Sequence, residues 1–330
     1  MSVVSGLFGL SDMRVVALGG GTGLSTLLRG LKRYTSKITA IVTVTDDGGS
    51  SGRLRAEMGV LPPGDIRNCL VALADAEPLM KELFEYRFNG EGPLAGHSFG
   101  NLFIAAMSEI TGDFELAVKE SSKVLLVRGE VLPATLDDCV LGALLADGRE
   151  VLGETAVGGS ASRIDRVFLR PSAPRPLPEA LRAIAEADVI VLGPGSLYTS
   201  IMPNLLVRGV ADAIASSRAT KICVCNVMTE PGETKGYSAQ DHLAAIVAHA
   251  GPAVVDWILV NDAPISVEML QKYSLEGAEP VACDRRALET MGVRVVEAPV
   301  ASQTDLVRHD PEALAAKIMS LASSWRAMGA

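Results

Sequence analysis

The chain has 330 residues, of which 48% are hydrophobic and 21% are charged, so it has enough apolar material for one large α/β domain or two smaller ones. Its net charge of -9 and its 4% aromatic content argue against a broad nucleic-acid-binding surface, which needs clustered basic residues and stacking rings. No apolar run is long enough to span a bilayer, and Met1 to Leu10 lacks the features of a signal peptide. Five cysteines, mostly in apolar runs, are typical of reduced thiols. We therefore predict a soluble cytoplasmic protein.

The first predicted unit is a strand, a glycine loop, a helix and a second strand. Arg14 to Leu18 suits a buried strand, Leu24 to Lys32 has helical periodicity, and Ile38 to Val44 suits the next strand. Glycine backbone can approach an anion closely, and the N-terminus of the following helix presents unpaired N–H groups. The loop therefore predicts a phosphate site, whose candidate contacts are Gly20, Gly21, Thr22 and Gly23.

This loop departs from the two common glycine-rich motifs. A dinucleotide loop has glycines at its first, third and sixth positions, but the sixth position counted from Gly19 is Leu24. A P-loop would place Lys-Ser or Lys-Thr after Gly23, and neither pair is present. A nicotinamide-dependent oxidoreductase is thus disfavoured, and a tight turn whose glycines serve packing alone stays open as the alternative.

An acidic, glycine-rich loop follows the second strand, at Asp46 to Arg53. Because the carboxyl ends of adjacent parallel strands meet at one edge of a sheet, this loop and the first should open onto one crevice. One acidic residue there can bond a ribose hydroxyl, and two can hold a divalent cation against a phosphate. Asp46 and Asp47 are therefore candidates for ligand binding, for a Mg²⁺ site or for catalysis, although an ordinary turn would account for Asp47-Gly48.

Two further polar turns precede apolar helical runs. Asp65 is predicted to cap a helix whose first turn exposes Arg67 and Asn68, and Arg67 could clamp a phosphate or carboxylate. His97 and Asn101 lie near the predicted start of another helix. We include these four as candidate ligand contacts, with a solvated surface role as the alternative for Arg67 and core packing as the alternative for His97.

Residues 123 to 170 depart from the α/β rhythm. Short β-type runs occur at Val124 to Val127, Cys139 to Leu145, Glu150 to Thr155 and Ile164 to Phe168, with glycine turns at Asp147-Gly148 and Gly158-Gly159. They predict an antiparallel excursion that could extend an edge of the main sheet. The overall prediction is a Rossmann-like three-layer α/β/α fold with a mostly parallel sheet: a flexible tail over 1–12 and a single domain over 13–327, in which 123–170 is the β-rich excursion.

The second half repeats the pattern of a strand followed by a polar loop. A strand at Asp188 to Leu192 runs into a second candidate phosphate loop, which contains Gly193, Gly195 and Ser196. The next strand, Lys221 to Val227, has Asn226 near its end, and Thr229 lies in the loop that follows, so both are expected near the same edge. Several polar loops at one sheet edge predict a crevice for a phosphorylated, polyhydroxylated ligand such as a nucleotide or nucleotide sugar.

Seven segments together resemble a known family: LGGGTGLSTLLRGLK, ITAIVTVTDDGGSSGRLR, LPPGDIRNCLVALA, GHSFGNL, LGPGSLYTSIMPNLL, VCNVMTEPGET and RHDP. They resemble the bacterial gluconeogenesis factor (YvcK-like) family, within the CofD-like superfamily of 2-phospho-L-lactate transferases. The resemblance covers Arg14 to Leu321. It implies a Rossmann-like fold, a cytoplasmic location and binding of UDP-sugars, notably UDP-N-acetylglucosamine. It also implies a role in cell shape and cell-wall homeostasis during growth on gluconeogenic carbon.

The resemblance also suggests residue roles. It makes Tyr273 and Arg308 candidates for contacting the uridine diphosphate part, by stacking and by bidentate pairing respectively. Glu230 stands where the family resemblance leads us to expect Gln. The acidic loop fits the YvcK-like branch better than the transferase branch, in which metal is held near that loop, so the resemblance leaves a metal role for Asp46 or Asp47 in doubt.

Whether the protein is an enzyme is left open. The YvcK-like branch carries no accepted reaction, so we expect a ligand-binding regulator. The alternative is a CofD-type, metal-dependent transferase that moves a phospho-acyl or phospholactyl group from an activated nucleotide donor. Further expectations are a protein partner in cell-wall synthesis and a homodimer.

Overall fold

The computed structural model describes residues 10–329, with side chains up to residue 324. Residues 1–9, most of the predicted tail, lie outside the described residues. The strands are β1 Val15–Gly19, β2 Ile38–Val42, β3 Glu130–Pro133, β4 Val140–Leu145, β5 Glu150–Leu152, β6 Ile164–Arg170, β7 Val189–Leu192, β8 Thr220–Val224, β9 Trp257–Asn261, β10 Arg294–Ala298, β11 Ala301–Gln303 and β12 Val307–His309.

The helices connect and cover these strands. They are α1 Gly21–Leu31, α2 Gly49–Met58, α3 Gly64–Leu73, α4 Pro78–Glu85, α5 Phe99–Thr111, α6 Phe114–Val124, α7 Glu154–Gly158, α8 Pro178–Glu186, α9 Met202–Leu205, α10 Val210–Ser216, α11 Ala239–Ala250, α12 Val267–Leu275, α13 Arg285–Thr290 and α14 Pro311–Gly329. A π-helical turn, Leu197–Ile201, precedes α9, and a 3₁₀ turn, Pro252–Val254, follows α11. Within residues 10–329, none of the helices is long and apolar enough to cross a membrane.

The main sheet has seven strands, all parallel, in the order β10-β9-β8-β7-β1-β2-β3. The chain leaves β1 toward β2 and β3, and later returns on the other side of β1 through β7. In open parallel sheets, ligands bind outside the carboxyl ends of the strands where the order reverses. Here that point lies between β1 and β7, the two strands that run into the candidate phosphate loops. The Rossmann-like fold with a mostly parallel sheet is confirmed.

Alternating side chains on β1 show why the sheet is covered on both sides. Val15 and Ala17 belong to one buried cluster with the apolar faces of α1, α3 and α14. Val16 and Leu18 belong to the other, with buried residues of α8 and α11. Successive strand side chains point to opposite faces, and a parallel strand that is buried on both faces reads as one continuous apolar run. This produces the three layers.

The β-rich excursion differs in part from its prediction. Strands β5, β4 and β6 form a separate antiparallel sheet, and β3 is the strand at the edge of the main sheet. The expected edge extension is therefore wrong: Leu141 and Val167 of the small sheet are buried with Val16 and Leu18, so this sheet covers a face of the main sheet. The run predicted at Val124 to Val127 is not a strand of either sheet: Val124 is the last residue of α6, because the apolar residues before it pack with helical periodicity, and residues 125–127 follow the helix.

The contact between α1 and the start of α14 depends on Gly30. A Cβ atom at this position would lie 1.9 Å from the Pro311 carbonyl oxygen and 2.7 Å from the Ala315 Cβ. We expect Gly30→Ala to lower the free energy of unfolding by about 1–3 kcal/mol, because an overpacked contact forces the backbone apart. Urea unfolding measures this change.

A control is Gly158→Ala in α7, where the nearest atoms to the new Cβ would lie 3.5 and 3.8 Å away. Its effect should stay within about 0.5 kcal/mol. If Gly30→Ala were as mild as the control, α1 and α14 would not be packed this closely.

Candidate functional site

The two glycine loops after β1 and β7 touch each other. Leu18 is in register with Leu192, so the two loops begin at the same level of the sheet. A Cβ at Gly23 would lie 2.5 Å from the Pro194 carbonyl oxygen and 2.9 Å from the Gly195 Cα. The loops therefore form one continuous backbone wall at the point where the strand order reverses.

The wall has the backbone conformation and polarity of an anion site. Gly21 and Gly195 have φ values of 58° and 153°, in the region where L side chains are strained. Helix α1 begins at Gly21, and its N-cap, Gly20, provides no side-chain cap. A helix N-terminus of this kind presents backbone N–H groups and a positive dipole end to a ligand, which suits a phosphate group.

A cleft of about 440 Å³ extends from this wall toward α12 and β12. Among its lining residues are ten predicted from sequence: Gly20, Gly21, Thr22, Gly23, Gly195, Ser196, Asn226, Thr229, Tyr273 and Arg308. Gly193 lies in the same loop as Gly195 but outside the lining. The Tyr273 hydroxyl accepts a hydrogen bond from the Val307 N–H at 3.0 Å, which joins α12 to β12 at the rim of the cleft.

Four predicted contacts lie in a second polar cluster instead: Arg67, Asn68, His97 and Asn101. The Arg67 guanidinium donates to Ser98 Oγ at 2.5 Å and to Asn68 Oδ1 at 2.6 Å. His97 Nδ1 lies 2.9 Å from Ser50 Oγ, and the Asn101 N–H donates to Ser98 Oγ at 3.2 Å. These bonds connect the starts of α2, α3 and α5, and the four residues do not line the cleft. A ligand contact by any of them stays a prediction.

The carboxylates of the acidic loop are held separately. Asp46 Oδ1 accepts a hydrogen bond from the Gly48 N–H at 2.9 Å. Asp47 Oδ1 accepts from the Thr155 N–H at 2.9 Å and from its hydroxyl at 2.7 Å. Across residues 10–329, no three His, Cys, Asp or Glu side chains are grouped to hold a metal ion. The two carboxylates are therefore not arranged as a pair of ligands for Mg²⁺, and a metal ion at this loop stays a prediction.

Asp65 is a cleft residue that the sequence analysis assigned to a different role. The predicted helix cap is wrong, because α3 begins at Gly64 with Pro63 as its N-cap and no side-chain cap. The Asp65 carboxylate instead lies against the glycine loop, where it accepts the Gly21 N–H and where a Cβ at Gly20 would come within 2.4 Å of it. Because α3 and the loop are far apart in the chain, local pattern did not indicate this contact.

Burial also gives Asp65 an unusual protonation. Burial is the largest influence, and together with the negative charge of Asp46 it raises the pKa of Asp65 to about 7, although the Gly21 hydrogen bond acts in the other direction. The carboxyl is therefore only partly ionised near neutral pH, and in its protonated form it can donate a hydrogen bond.

Glu154 is a second acidic cleft residue that the sequence analysis missed. Burial and then the charges of Asp65 and Asp46 raise its pKa to about 9, whereas the Thr45 hydroxyl, which donates to Glu154 Oε2 at 3.0 Å, opposes this shift. The predicted strand at Glu150 to Thr155 placed Glu154 wrongly. The strand ends at Leu152, and Gly153, with a φ of 97°, turns the chain into α7.

The loop after β8 supplies two more carboxylates. Glu230 lines the cleft and accepts a hydrogen bond from the Asn226 side-chain amide at 3.0 Å. Glu233 Oε2 accepts the Tyr198 N–H at 2.9 Å and Oε1 accepts the Thr199 hydroxyl at 2.7 Å, which fixes the start of the π-helical turn. Burial and then the charge of Glu230 raise the pKa of Glu233 to about 7. The cleft thus combines glycine-loop backbone of a geometry that suits an anion with carboxyl groups, a set suited to a phosphorylated sugar.

Comparison with known proteins identifies the family. Residues 15–301 match the family described as 2-phospho-L-lactate transferase CofD. The chain is also 53% identical to the gluconeogenesis factor of Halalkalibacterium halodurans, over 94% of this chain and 97% of that protein. The chain belongs to the gluconeogenesis factor family, within the CofD-like superfamily.

Other members of the family are similar along most of their length. The Bacillus subtilis gluconeogenesis factor is 52% identical over 93% of this chain and 98% of its own. A crystal structure of a Bacillus halodurans protein, 52% identical, superimposes with a TM-score of 0.91 and covers 93% of this chain and 100% of that one. The family resemblance inferred from the motifs is confirmed.

The raised pKa values of Asp65 and Glu154 predict a stability that depends on pH. Their ordinary values are 3.8 and 4.5, and in the folded protein they are about 7 and about 9. Between the ordinary and folded values, the folded state holds protons that the unfolded chain has lost. The free energy of unfolding should therefore fall as the pH rises from about 5 to about 9.

We expect Glu154→Gln to make this fall less steep, because an amide keeps the shape of the protonated carboxyl and does not titrate. Urea unfolding at several pH values measures the slope. Glu109→Gln, at an exposed position on α5, is the control and should leave the slope unchanged. A slope that is the same in wild type and Glu154→Gln would contradict the assignment of a proton to Glu154.

Proposed function

We propose that the cleft binds a UDP-sugar, UDP-N-acetylglucosamine in particular, and that the protein is a regulator that reports the occupancy of this site. The observation that carries this proposal is the contact between the two glycine loops, since a Cβ at Gly23 would lie only 2.5 Å from the Pro194 carbonyl oxygen. Two adjoining backbone loops offer N–H groups to two neighbouring phosphates. In a cell, the regulator would act on cell shape and cell-wall homeostasis during growth on gluconeogenic carbon.

The order of the strands supports an orientation for such a ligand. The glycine loops follow β1 and β7 in the centre, so the diphosphate belongs there. Asp65 and Glu154 line the cleft on the β2 side, where carboxyl groups can bond sugar hydroxyls. Val227, Tyr273 and Arg308 line it on the β8 side, where apolar and aromatic surface suits a base and a guanidinium suits a phosphate.

The character of the relatives favours a regulator over an enzyme. The proteins similar to this chain along nearly all of its length are named gluconeogenesis factors. The transferase description belongs to the superfamily, and the departures of the acidic loop from the transferase branch weigh against transfer chemistry. We therefore propose binding without turnover.

Isothermal titration calorimetry tests the ligand. We expect UDP-N-acetylglucosamine and UDP to bind more tightly than GDP. Gly23→Ala should weaken UDP binding by at least about tenfold, since a methyl group there separates the two loops and a lost charge-assisted hydrogen bond is worth about that much. Absence of binding at millimolar UDP-N-acetylglucosamine would overturn the proposal.

A matched control and a second readout complete the test. Arg33→Ala, at an exposed ion pair with Glu312 just beyond α1, should leave the affinity unchanged. The same titrations with Mg²⁺ are followed by chromatography of the nucleotide. Consumption of an activated donor that Asp46→Asn abolishes would contradict the absence of turnover and favour the CofD-type transferase.

A further inference from the structure

One histidine of the cleft has a defined tautomer. His309, the last residue of β12, places Nε2 at 3.2 Å from the carbonyl oxygen of Cys225, directly after β8. A carbonyl oxygen can only accept a hydrogen bond, so Nε2 must carry the proton and donate it. Burial lowers the pKa of His309 to about 4, so the ring is neutral near neutral pH. Its other nitrogen, Nδ1, therefore bears a lone pair and acts only as an acceptor.

This lone pair is available to a ligand. His309 lines the cleft, and among the described residues Nδ1 has no hydrogen-bond partner and is not one of the polar atoms sealed away from solvent. An acceptor at the wall of a cleft is satisfied by water until a ligand that carries a donor displaces that water.

The surroundings of His309 favour a flat, partly apolar group over a sugar. Val227, Met228 and Val307 form a small apolar cluster against which Tyr273 packs, and these residues share the β8 side of the cleft with His309. The cleft residues on the β2 side, Asp65 and Glu154, are acidic. A nucleotide base is the part of a UDP-sugar that matches the apolar, aromatic end.

We propose that His309 Nδ1 accepts a hydrogen bond from N3–H of a uracil ring, which makes His309 the residue that distinguishes uridine from cytidine nucleotides. This inference rests on the proposed function. Uracil has a donor at N3, whereas cytosine has a lone pair there that would face the lone pair of Nδ1. A site built to accept a ligand N–H rejects an analogue without it, because the acceptor is left unpaired once the ligand covers it and displaces its water.

Two variants separate the structural role of the ring from its proposed role in recognition. His309→Gln can keep a donor near the Cys225 carbonyl oxygen but has no acceptor at the position of Nδ1. His309→Asn can place its side-chain oxygen near Nδ1 but does not reach the carbonyl. Circular dichroism and thermal unfolding establish whether each variant folds, and calorimetry measures the affinities for UDP, CDP and 3-methyl-UDP, whose N3 carries no hydrogen.

The proposal predicts that wild-type protein binds UDP at least about tenfold more tightly than CDP or 3-methyl-UDP, the loss expected for one hydrogen bond and an unpaired acceptor. His309→Gln should bind all three equally, and His309→Asn should regain part of the preference for UDP. Wild type that binds UDP and CDP equally, or a His309→Gln variant that keeps the preference, overturns this inference alone. Wild type that binds neither UDP nor UDP-N-acetylglucosamine overturns the proposed function together with it.

Discussion

The site depends on the close approach of two backbone segments that are about half the chain apart in sequence. Gly23 at the start of α1 meets Pro194 and Gly195 after β7, with no room for a Cβ atom between them. This close approach requires β1 and β7 to be adjacent strands that end at the same level. They are adjacent because the strand order reverses at this point of the sheet, and Leu18 is paired with Leu192. The apolar layers on both faces of the sheet hold that register, because a slip of one residue would exchange the faces of every strand side chain. The pairing of β1 with β7 therefore determines both the centre of the sheet and the position of the site.

The second property of the site is the burial of carboxyl groups beside these loops. Asp65, Glu154 and Glu233 all have raised pKa values, and in each case burial is the largest cause. Carboxyl groups that are partly or largely protonated at neutral pH cost the folded protein stability as the pH rises, but they can donate as well as accept hydrogen bonds. A ligand with hydroxyl and phosphate groups would make use of both.

Local patterns in the sequence were sufficient for the central strands β1, β2, β7 and β8, for the parallel pairing of β1 with β2, and for the glycine loops, because apolar runs and glycine clusters are short-range signals. They were not sufficient for Asp65 or Glu154, whose contacts with the loops join segments distant in the chain. The same limit applies to the positions of Arg67 and His97, which both lie in polar turns before helices. In the folded protein Arg67 bonds Ser98 at the start of α5 and His97 lies beside Ser50 of α2, outside the lining of the cleft. His309 lies in the RHDP segment, but its tautomer follows only from the contact with the Cys225 carbonyl oxygen in the folded protein.

The proposed function requires the diphosphate of a nucleotide to lie across the junction of the two glycine loops. A crystal structure of the protein soaked with UDP-N-acetylglucosamine tests it most directly. We expect density for two phosphates within hydrogen-bond distance of the backbone N–H groups of the Gly20–Gly23 and Gly195–Ser196 segments, with the base toward Tyr273. Density for the ligand at any other place on the molecule, or a diphosphate that contacts neither loop, would contradict it.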